Sequence, residues 1–456
     1  MHRQLERSLR DAVREGRLRA GSALPSTRVL ARELRVSRGL VVEAYEQLAA
    51  EGYVSSRPGG KTRVARRPIR VAAPRSAAAA QTFEFDFQPG RPDLEAFPRE
   101  AWVRAVRRSL GSAPAAQLTY LDGRGLPELR SELAAHLNRA RGTAIHPDGM
   151  VITSGFGQGL YLVASVMRGL GVRRFGVEDP TLGDARTIIS TAGLDVVDIP
   201  VDGDGLRVDR LNRARVGAVL VTPAHQYPTG RVLSPDRRAA LLAWADRRGA
   251  MIIEDDYDAE YRYDRQPIGA LQGLRPERVI YTGSASKLLA PGLRLGWFAA
   301  PQSMADRITA LKKILDHGSP VIDQLAFADF IARGDLDRHL RRMRPIYRHR
   351  RDHLIATLAR HLPELKPVGA AAGLHILTWL PPGIDSDALV AAAAGVGIGI
   401  GGVSPGSGGA PDGRGALVFG YGAIADHAVE PGVRRLARLW RRMIGGGPAD
   451  PTLSAD

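Results

Sequence analysis

The sequence predicts an α/β chain in two parts: a small N-terminal winged helix-turn-helix and, after a linker, a larger body on a mainly parallel seven-stranded sheet covered on both faces. Three observations predict it. The chain has 456 residues, 44% of them hydrophobic and 25% charged, which is too long for one domain and apolar enough for more than one core. Its charge is uneven: of a net +16, residues 1–75 carry 17 Lys or Arg against 7 Asp or Glu. Beyond about residue 82 the hydrophobic pattern changes from short helical periods to apolar β-rich runs alternating with helical stretches.

The N-terminal part is justified element by element. Leu5, Leu9, Val13 and Leu18 recur at near-helical spacing in a segment closed by Gly16 and Gly21. Pro25-Ser26 starts a second helix with Val29, Leu30 and Leu34 inward, and Arg35-Val36 is a tight turn. Ser37 caps a third helix with Val41, Val42, Tyr45 and Leu48 on one face and Gly52 as its stop. Tyr53–Ser56 and Thr62–Val64 then flank Arg57-Pro58-Gly59-Gly60-Lys61, a glycine turn between two short strands that makes the wing. In such a unit the third helix enters the major groove of double-stranded DNA by its N-terminus. Ser37 and Arg38 are therefore expected at a base edge or phosphate, with Arg28 and Lys61 approaching the backbone or minor groove. A general arginine bias weighs the other way, since 59 of the 64 basic residues are arginine.

Residues 66–82 hold Pro, Ala and Arg without an amphipathic period and read as a linker. Seven short buried runs follow, at Met150–Thr153, Phe175–Val177, Val196–Ile199, Ala218–Val221, Met251–Ile253, Val279–Tyr281 and Gly296–Phe298. Polar residues cluster just after their ends, where open α/β sheets bind ligands. With no Cys, disulfide scaffolds, Cys-ligated zinc, iron–sulfur sites and thiol catalysis are excluded. The first residues lack an apolar signal region and no run approaches ~18 apolar residues, so no membrane partner is expected and the chain reads as cytoplasmic.

The chemistry concentrates in three segments. Ser284-Ala285-Ser286-Lys287 through Arg294 places one of five lysines among small hydroxyl residues with an arginine seven positions on. A lysine amine can form a Schiff base with an aldehyde cofactor, and a cofactor phosphate wants serine hydroxyls and an arginine fork. Ile252-Ile253-Glu254-Asp255-Asp256-Tyr257 sets an acid at a strand end, where a carboxylate can pair with a protonated pyridine nitrogen. Such acid pairs also serve magnesium, but no metal site is expected here. Tyr257 can donate to a phenolate oxygen on the same ring. Thr153-Ser154-Gly155-Phe156-Gly157 opens a helix with free N–H groups aimed at an anion. Jointly they supply an aldehyde trap, a ring-nitrogen partner and a phosphate cradle for one molecule, pyridoxal 5′-phosphate (PLP).

Residues 3–64, above all LPSTRVLARELRVSRGLVVEAYEQLAAEGYV, resemble the winged-helix domain of GntR-type bacterial repressors. Gly39-Leu40 departs from that pattern where relatives usually offer a threonine hydroxyl to phosphate. Tyr120-Leu121-Asp122-Gly123-Arg124-Gly125, TPAHQYPTG (222–230) and EDDYDAEYRY (254–263) resemble fold-type-I aminotransferases over about residues 83–445. The whole chain resembles the MocR subfamily of GntR regulators. The resemblance implies a DNA-binding domain over 1–65, a linker over 66–82, a PLP-binding aminotransferase-like domain over 83–445 with a small α+β subdomain from about 320, and a disordered tail over 446–456. It makes Lys287 the Schiff-base lysine, Asp255 the pyridinium partner, Tyr257 the phenolate-oxygen donor, and Ser284 and Arg294 phosphate ligands. Ser286, Ser154, Gly155, Phe156 and Tyr227 complete the expected cofactor contacts. Tyr120 would reach the phosphate of a partner subunit, which implies a homodimer.

Three departures bear on function. Leu182 stands where an aromatic usually stacks on the pyridine ring, Phe156 where a hydroxyl often touches phosphate, and Pro405 where GABA-responsive members carry a carboxylate-binding arginine. Arg186 and Arg414 are the remaining basic candidates for an effector. A transaminase must hold its substrate carboxylate, so the expectation is a vestigial, sensing domain that reports PLP or an amine or amino acid. The alternative is an active PLP-dependent aminotransferase with an accessory DNA-binding domain.

Overall fold

The structure, a computed structural model, describes residues 2–56, 60–65, 82–181, 183–258, 260–263, 268–369, 372–405 and 413–444. Residues 66–81 of the expected 66–82 linker, wing-turn residues 57–59, Leu182, and residue 445 with the expected 446–456 tail lie outside the described residues. The chain divides into two compact units, Met1–Gln81 and Thr82–Asp456.

In the first unit, helices α1 (His2–Arg14), α2 (Thr27–Leu34) and α3 (Arg38–Ala50) precede the two-residue strands β1 (Val54–Ser55) and β2 (Arg63–Val64), which pair antiparallel. The capping residues are those expected: Ser26 Oγ accepts from Val29 N and Ser37 Oγ from Leu40 N, each at 3.3 Å. Arg35 between α2 and α3 takes φ 52°, a left-handed turn made without glycine, and donates its N–H back to the end of α2. Val13, Leu24, Leu30, Ala31, Val41, Tyr45, Leu48, Val54 and Val64 form one core. Three inward assignments change, and Val29 is the first, only half-buried and outside this core. Leu34 is 46% exposed, because α2 is only eight residues long and its buried stripe is Leu30-Ala31. Ala44, with no exposure, fills the α3 face beside Val41, Tyr45 and Leu48, leaving Val42 at the margin.

The second unit runs β3 (Phe85–Phe87), α4 (Arg99–Ser112), α5 (Pro127–Arg141), β4 (Met150–Thr153), α6 (Phe156–Gly169), β5 (Arg174–Asp179), α7 (Gly183–Thr191), β6 (Asp195–Asp202), β7 (Gly205–Leu206) and α8 (Val208–Ala214). It continues through β8 (Ala218–Val221), α9 (Pro235–Arg248), β9 (Met251–Asp255), β10 (Val279–Ser284), α10 (Ala285–Leu288), β11 (Gly296–Ala299), α11 (Gln302–Asp316), α12 (Val321–Ala332) and α13 (Asp335–His361). The small subdomain adds β12 (Pro367–Val368), β13 (His375–Trp379), α14 (Ser386–Gly395), β14 (Ile398–Val403), β15 (Ala416–Gly420) and α15 (Asp426–Ile444).

All seven expected runs are strands of one sheet, in the order β4-β11-β10-β9-β8-β5-β6, and the two-residue β7 adds an eighth at the β6 edge. Neighbours from β10 through β6 pair in parallel, while β11 is antiparallel to both β10 and β4. The central strands carry Val, Ile and Leu on both faces because helices cover both, and separate apolar cores lie on the two sides. A second sheet, in the order β12-β13-β15-β14-β3, forms the small subdomain. Its edge strand β3 comes from Phe85–Phe87 and pairs parallel to β14. The small sheet is thus closed by a segment distant in sequence from 320–445. No helix of the described residues is long and apolar enough to cross a membrane.

Candidate functional site

Loops after β4, β8, β9 and β10 meet at the C-terminal edge of the large sheet around a cavity of about 330 Å³. Lys287, Asp255, Tyr257, Ser284, Ser286, Arg294, Phe156 and Tyr227 all line it. Register brings the first two together: β10 lies parallel beside β9 with Thr282 opposite Asp255, and the short α10 leaving β10 carries Lys287.

The acidic run after β9 divides its labour. Glu254 is buried and accepts backbone N–H groups of Leu271 and Gln272 at 2.9 and 3.0 Å. Asp256 accepts from Arg141 Nε and from the Tyr281 hydroxyl, both at 2.7 Å, in a buried ion pair that ties α5 to the sheet. Asp258 faces His225. Asp255 lines the cavity with a hydrogen bond from Thr282 Oγ1 at 3.1 Å, and burial pushes its carboxyl up to about 7. A carboxylate so placed fits a cationic ring nitrogen, whose charge would draw it back to the ionised form. Burial pulls the Lys287 ammonium below its ordinary range, which favours the nucleophilic free amine. Gly90, at φ 77°, passes so close that a Cβ there would stand 3.1 Å from Lys287 Nζ.

The anion end is built on a glycine. Gly155 takes φ 92° at the start of α6, and a Cβ there would press on the Arg294 guanidinium at 3.1 Å. Arg294 Nη2 donates to Ser154 O at 2.6 Å, so the guanidinium is fixed across the helix N-terminus beside Ser284 and Ser286. Helix dipole, hydroxyls and guanidinium converge as a phosphate requires. The residues present therefore fit PLP at both ends.

Other expected residues fall elsewhere. Tyr120 is 83% exposed, beside His317 and away from this cavity. Arg186 does not line the cavity: its guanidinium is paired with Asp179 at 3.0 Å and with Asp198. Neither Arg414 nor Pro405 lines it, and Leu182 lies outside the described residues. In the first unit Arg28, Ser37, Arg38 and Lys61 are all exposed.

The sequence reading missed His225, Asp258 and His375. His225 Nδ1 lies 3.0 and 3.1 Å from the two Asp258 oxygens and 3.0 Å from the Tyr257 hydroxyl, and the His375 ring is 5.0 Å from that of His225. His225 and Asp258 sit inside TPAHQYPTG and EDDYDAEYRY, and a buried histidine beside a fourth acid was the available signal. Glu178 was also missed. It is buried under the cavity, accepts from Thr222 N and Oγ1 at 3.0 and 2.6 Å, and is pushed up to about 7 by burial.

Comparison with known proteins agrees with both units. Residues 1–64 match the bacterial regulatory proteins of the gntR family, and residues 86–392 match the class I and II aminotransferases. The chain is 37% identical over 379 residues to the HTH-type pyridoxine biosynthesis transcriptional regulator PdxR of Corynebacterium glutamicum, covering 82% of each chain. It is 32% identical to the probable rhizopine catabolism regulatory protein MocR of Rhizobium meliloti, covering 100% of this chain and 97% of that one. Among solved structures, an archaeal alanine:glyoxylate aminotransferase superposes with a TM-score of 0.72 at 26% identity, over 80% of this chain and 92% of that one. A winged-helix unit followed by an aminotransferase-like unit, shared almost end to end with named transcriptional regulators, places this chain in the MocR subfamily of GntR-type DNA-binding transcription regulators.

Proposed function

We propose that the aminotransferase-like unit binds PLP in the 330 Å³ cavity and that occupancy of this site changes operator binding by the winged-helix unit. The observation that carries the proposal is one cavity lined by Lys287, Asp255 and Arg294 together. PLP would bring an aldehyde that captures amines and a ring that withdraws electrons. Lys287 would hold the aldehyde carbon, Asp255 the ring nitrogen and Tyr257 the phenolate oxygen. Arg294, Ser284, Ser286 and the α6 N-terminus would hold the phosphate. Tyr120, so exposed in its own chain, suits a contact with the partner's phosphate in a homodimer.

PLP itself is the effector we favour. Among the described residues lining the cavity the strong cations are Lys287 and Arg294, both engaged by the cofactor in this reading. Arg186 is held by two aspartates, so a substrate carboxylate finds no arginine fork there. A transaminase without that grip aligns its substrate poorly, and a sensor does not need it. The relative named for pyridoxine biosynthesis points the same way. On DNA, Arg38 at the start of α3 would read a base edge, while Arg28 and Lys61 would contact the backbone. The protein would act in the cytoplasm, where its operator lies.

The test is direct. Full-length protein mixed with PLP should acquire the visible absorption of a lysine-bound pyridoxal, and Lys287→Ala should not. A wild-type protein that takes up no PLP contradicts the proposal.

A further inference from the structure

We propose that the buried Asp258–His225 pair is a positioning device for Tyr257: it holds the phenol oxygen at one point of the cavity and presents a cation behind the cofactor's phenolate oxygen. This rests on the PLP site proposed above. The hydrogen bonds allow one consistent assignment. The two Asp258 oxygens lie 3.0 and 3.1 Å from His225 Nδ1, and a carboxylate can only accept, so Nδ1 carries a hydrogen. Tyr257 cannot then donate to Nδ1, and its hydrogen goes to the backbone carbonyl of His225 at 2.9 Å. His225 Nε2 faces another acceptor, the carbonyl of Gly369, at 3.4 Å. With an acceptor opposite each nitrogen, the ring is an imidazolium.

The surroundings support that charge state. Burial disfavours the cation, but Asp258 outweighs it and the imidazole stays above its usual range. Arg262 opposes the charge more weakly. His375, entering from β13, donates from Nε2 to the carbonyl of Pro228 at 3.2 Å and is driven well below its ordinary range by burial and by the charge on His225, with Lys287 adding to the effect. One histidine is thus charged and its neighbour neutral. His225, Asp258 and His375 could bring ligand atoms within 4.8 Å of one another for a metal ion. Both His225 nitrogens and the Asp258 oxygens are already engaged in hydrogen bonds, so an ion pair is the better account.

Tyr257 is the route from this pair to the cofactor. Burial holds its phenol far above the ordinary range, so it remains a donor. With a phenolate oxygen bound there, Tyr257 would turn its hydrogen from the His225 carbonyl to that oxygen, while the one Nδ1–H, shared between Asp258 and the phenol oxygen 3.0 Å away, would hold the phenol oxygen in place. The small subdomain touches the same imidazole through Gly369 and Gly373. A Cβ on Gly373 would collide with both Asp258 and His225.

The experiment uses full-length protein loaded with PLP, and reads the pH midpoint of its visible absorption in wild type, H225Q, H225N, Y257F and the H225Q/Y257F double variant. H225Q removes the cation and leaves Asp258 uncompensated, so the midpoint should rise by about one unit. The same substitution should move it much less in the Y257F background, because the link is gone. An unshifted midpoint in H225Q, or an equal shift in both backgrounds, overturns the proposal. If H225Q fails to fold, H225N carries the test, with the same rise expected because it also removes the cation and leaves Asp258 uncompensated. A separate arm uses cofactor-free protein with ¹⁵N-labelled histidine. One imidazolium, missing in H225Q, should titrate above the ordinary histidine range in wild type and lower in D258N. A neutral His225 at pH 6 overturns the charge assignment even if PLP uptake, and with it the proposed function, fails.

Discussion

Single residues carry opposite burdens in this cavity. Asp255 is a carboxyl that burial has raised to about 7, against a free-chain value near 3.9. The folded, cofactor-free protein therefore keeps a proton that the unfolded chain releases at lower pH. The stability this contributes is complete below about pH 4 and is lost as pH rises through about 7. The Tm of cofactor-free Asp255→Asn should accordingly fall less between pH 5 and 8 than that of wild type, as scanning calorimetry would show. Asp255→Ala should also weaken PLP uptake by roughly tenfold or more, since a charge-assisted bond is worth about 1.5–3 kcal/mol; equilibrium titration of the absorption checks it. Lys287 and Asp255 were legible in the sequence because lysine is scarce and the acids end an apolar strand. His225 and His375 were not, because they meet only through folding, 150 positions apart. Arg186 illustrates the converse: as a cation near the motif it suggested an anchor, and only the structure brings Asp198 onto it.

At the scale of elements, the large sheet depends on glycines where strands and helices approach closely. A Cβ on Gly159 of α6 would overlap the Phe298 ring on β11, which leaves Phe298 no room in a filled core. Gly159→Ala should destabilise the unit by about 1–3 kcal/mol through overpacking, measured by denaturant unfolding. In the winged helix, Arg38 stands at the first position of α3 and Lys61 ahead of β2, both exposed. Arg38→Ala should reduce discrimination between operator and random DNA, while Lys61→Ala should weaken both evenly. Equal loss on both for Arg38→Ala would refute its role as a base reader. Strands and caps were readable because period, capping serines and stop glycines are local signals. The origin of β3 was not, since Phe85–Phe87 is too short to declare which sheet it joins. Nor was the exposure of Leu34, the last residue of its helix, off the Leu30-Ala31 stripe that is buried.

The whole molecule joins a basic winged-helix unit to an aminotransferase-like unit with a cofactor-shaped cavity. The +10 carried by residues 1–75 predicts DNA affinity that falls steeply with salt, and a dimer would sum two half-sites. In the proposed function the cavity's occupant is the signal. The measurement is operator affinity of cofactor-free protein at fixed salt, titrated first with PLP and then with a panel of amines and amino acids, for wild type and Lys287→Ala. Adding PLP alone should change the affinity severalfold in wild type and leave Lys287→Ala unchanged. Operator affinity that ignores PLP but shifts when an amine or amino acid is added afterwards would contradict it.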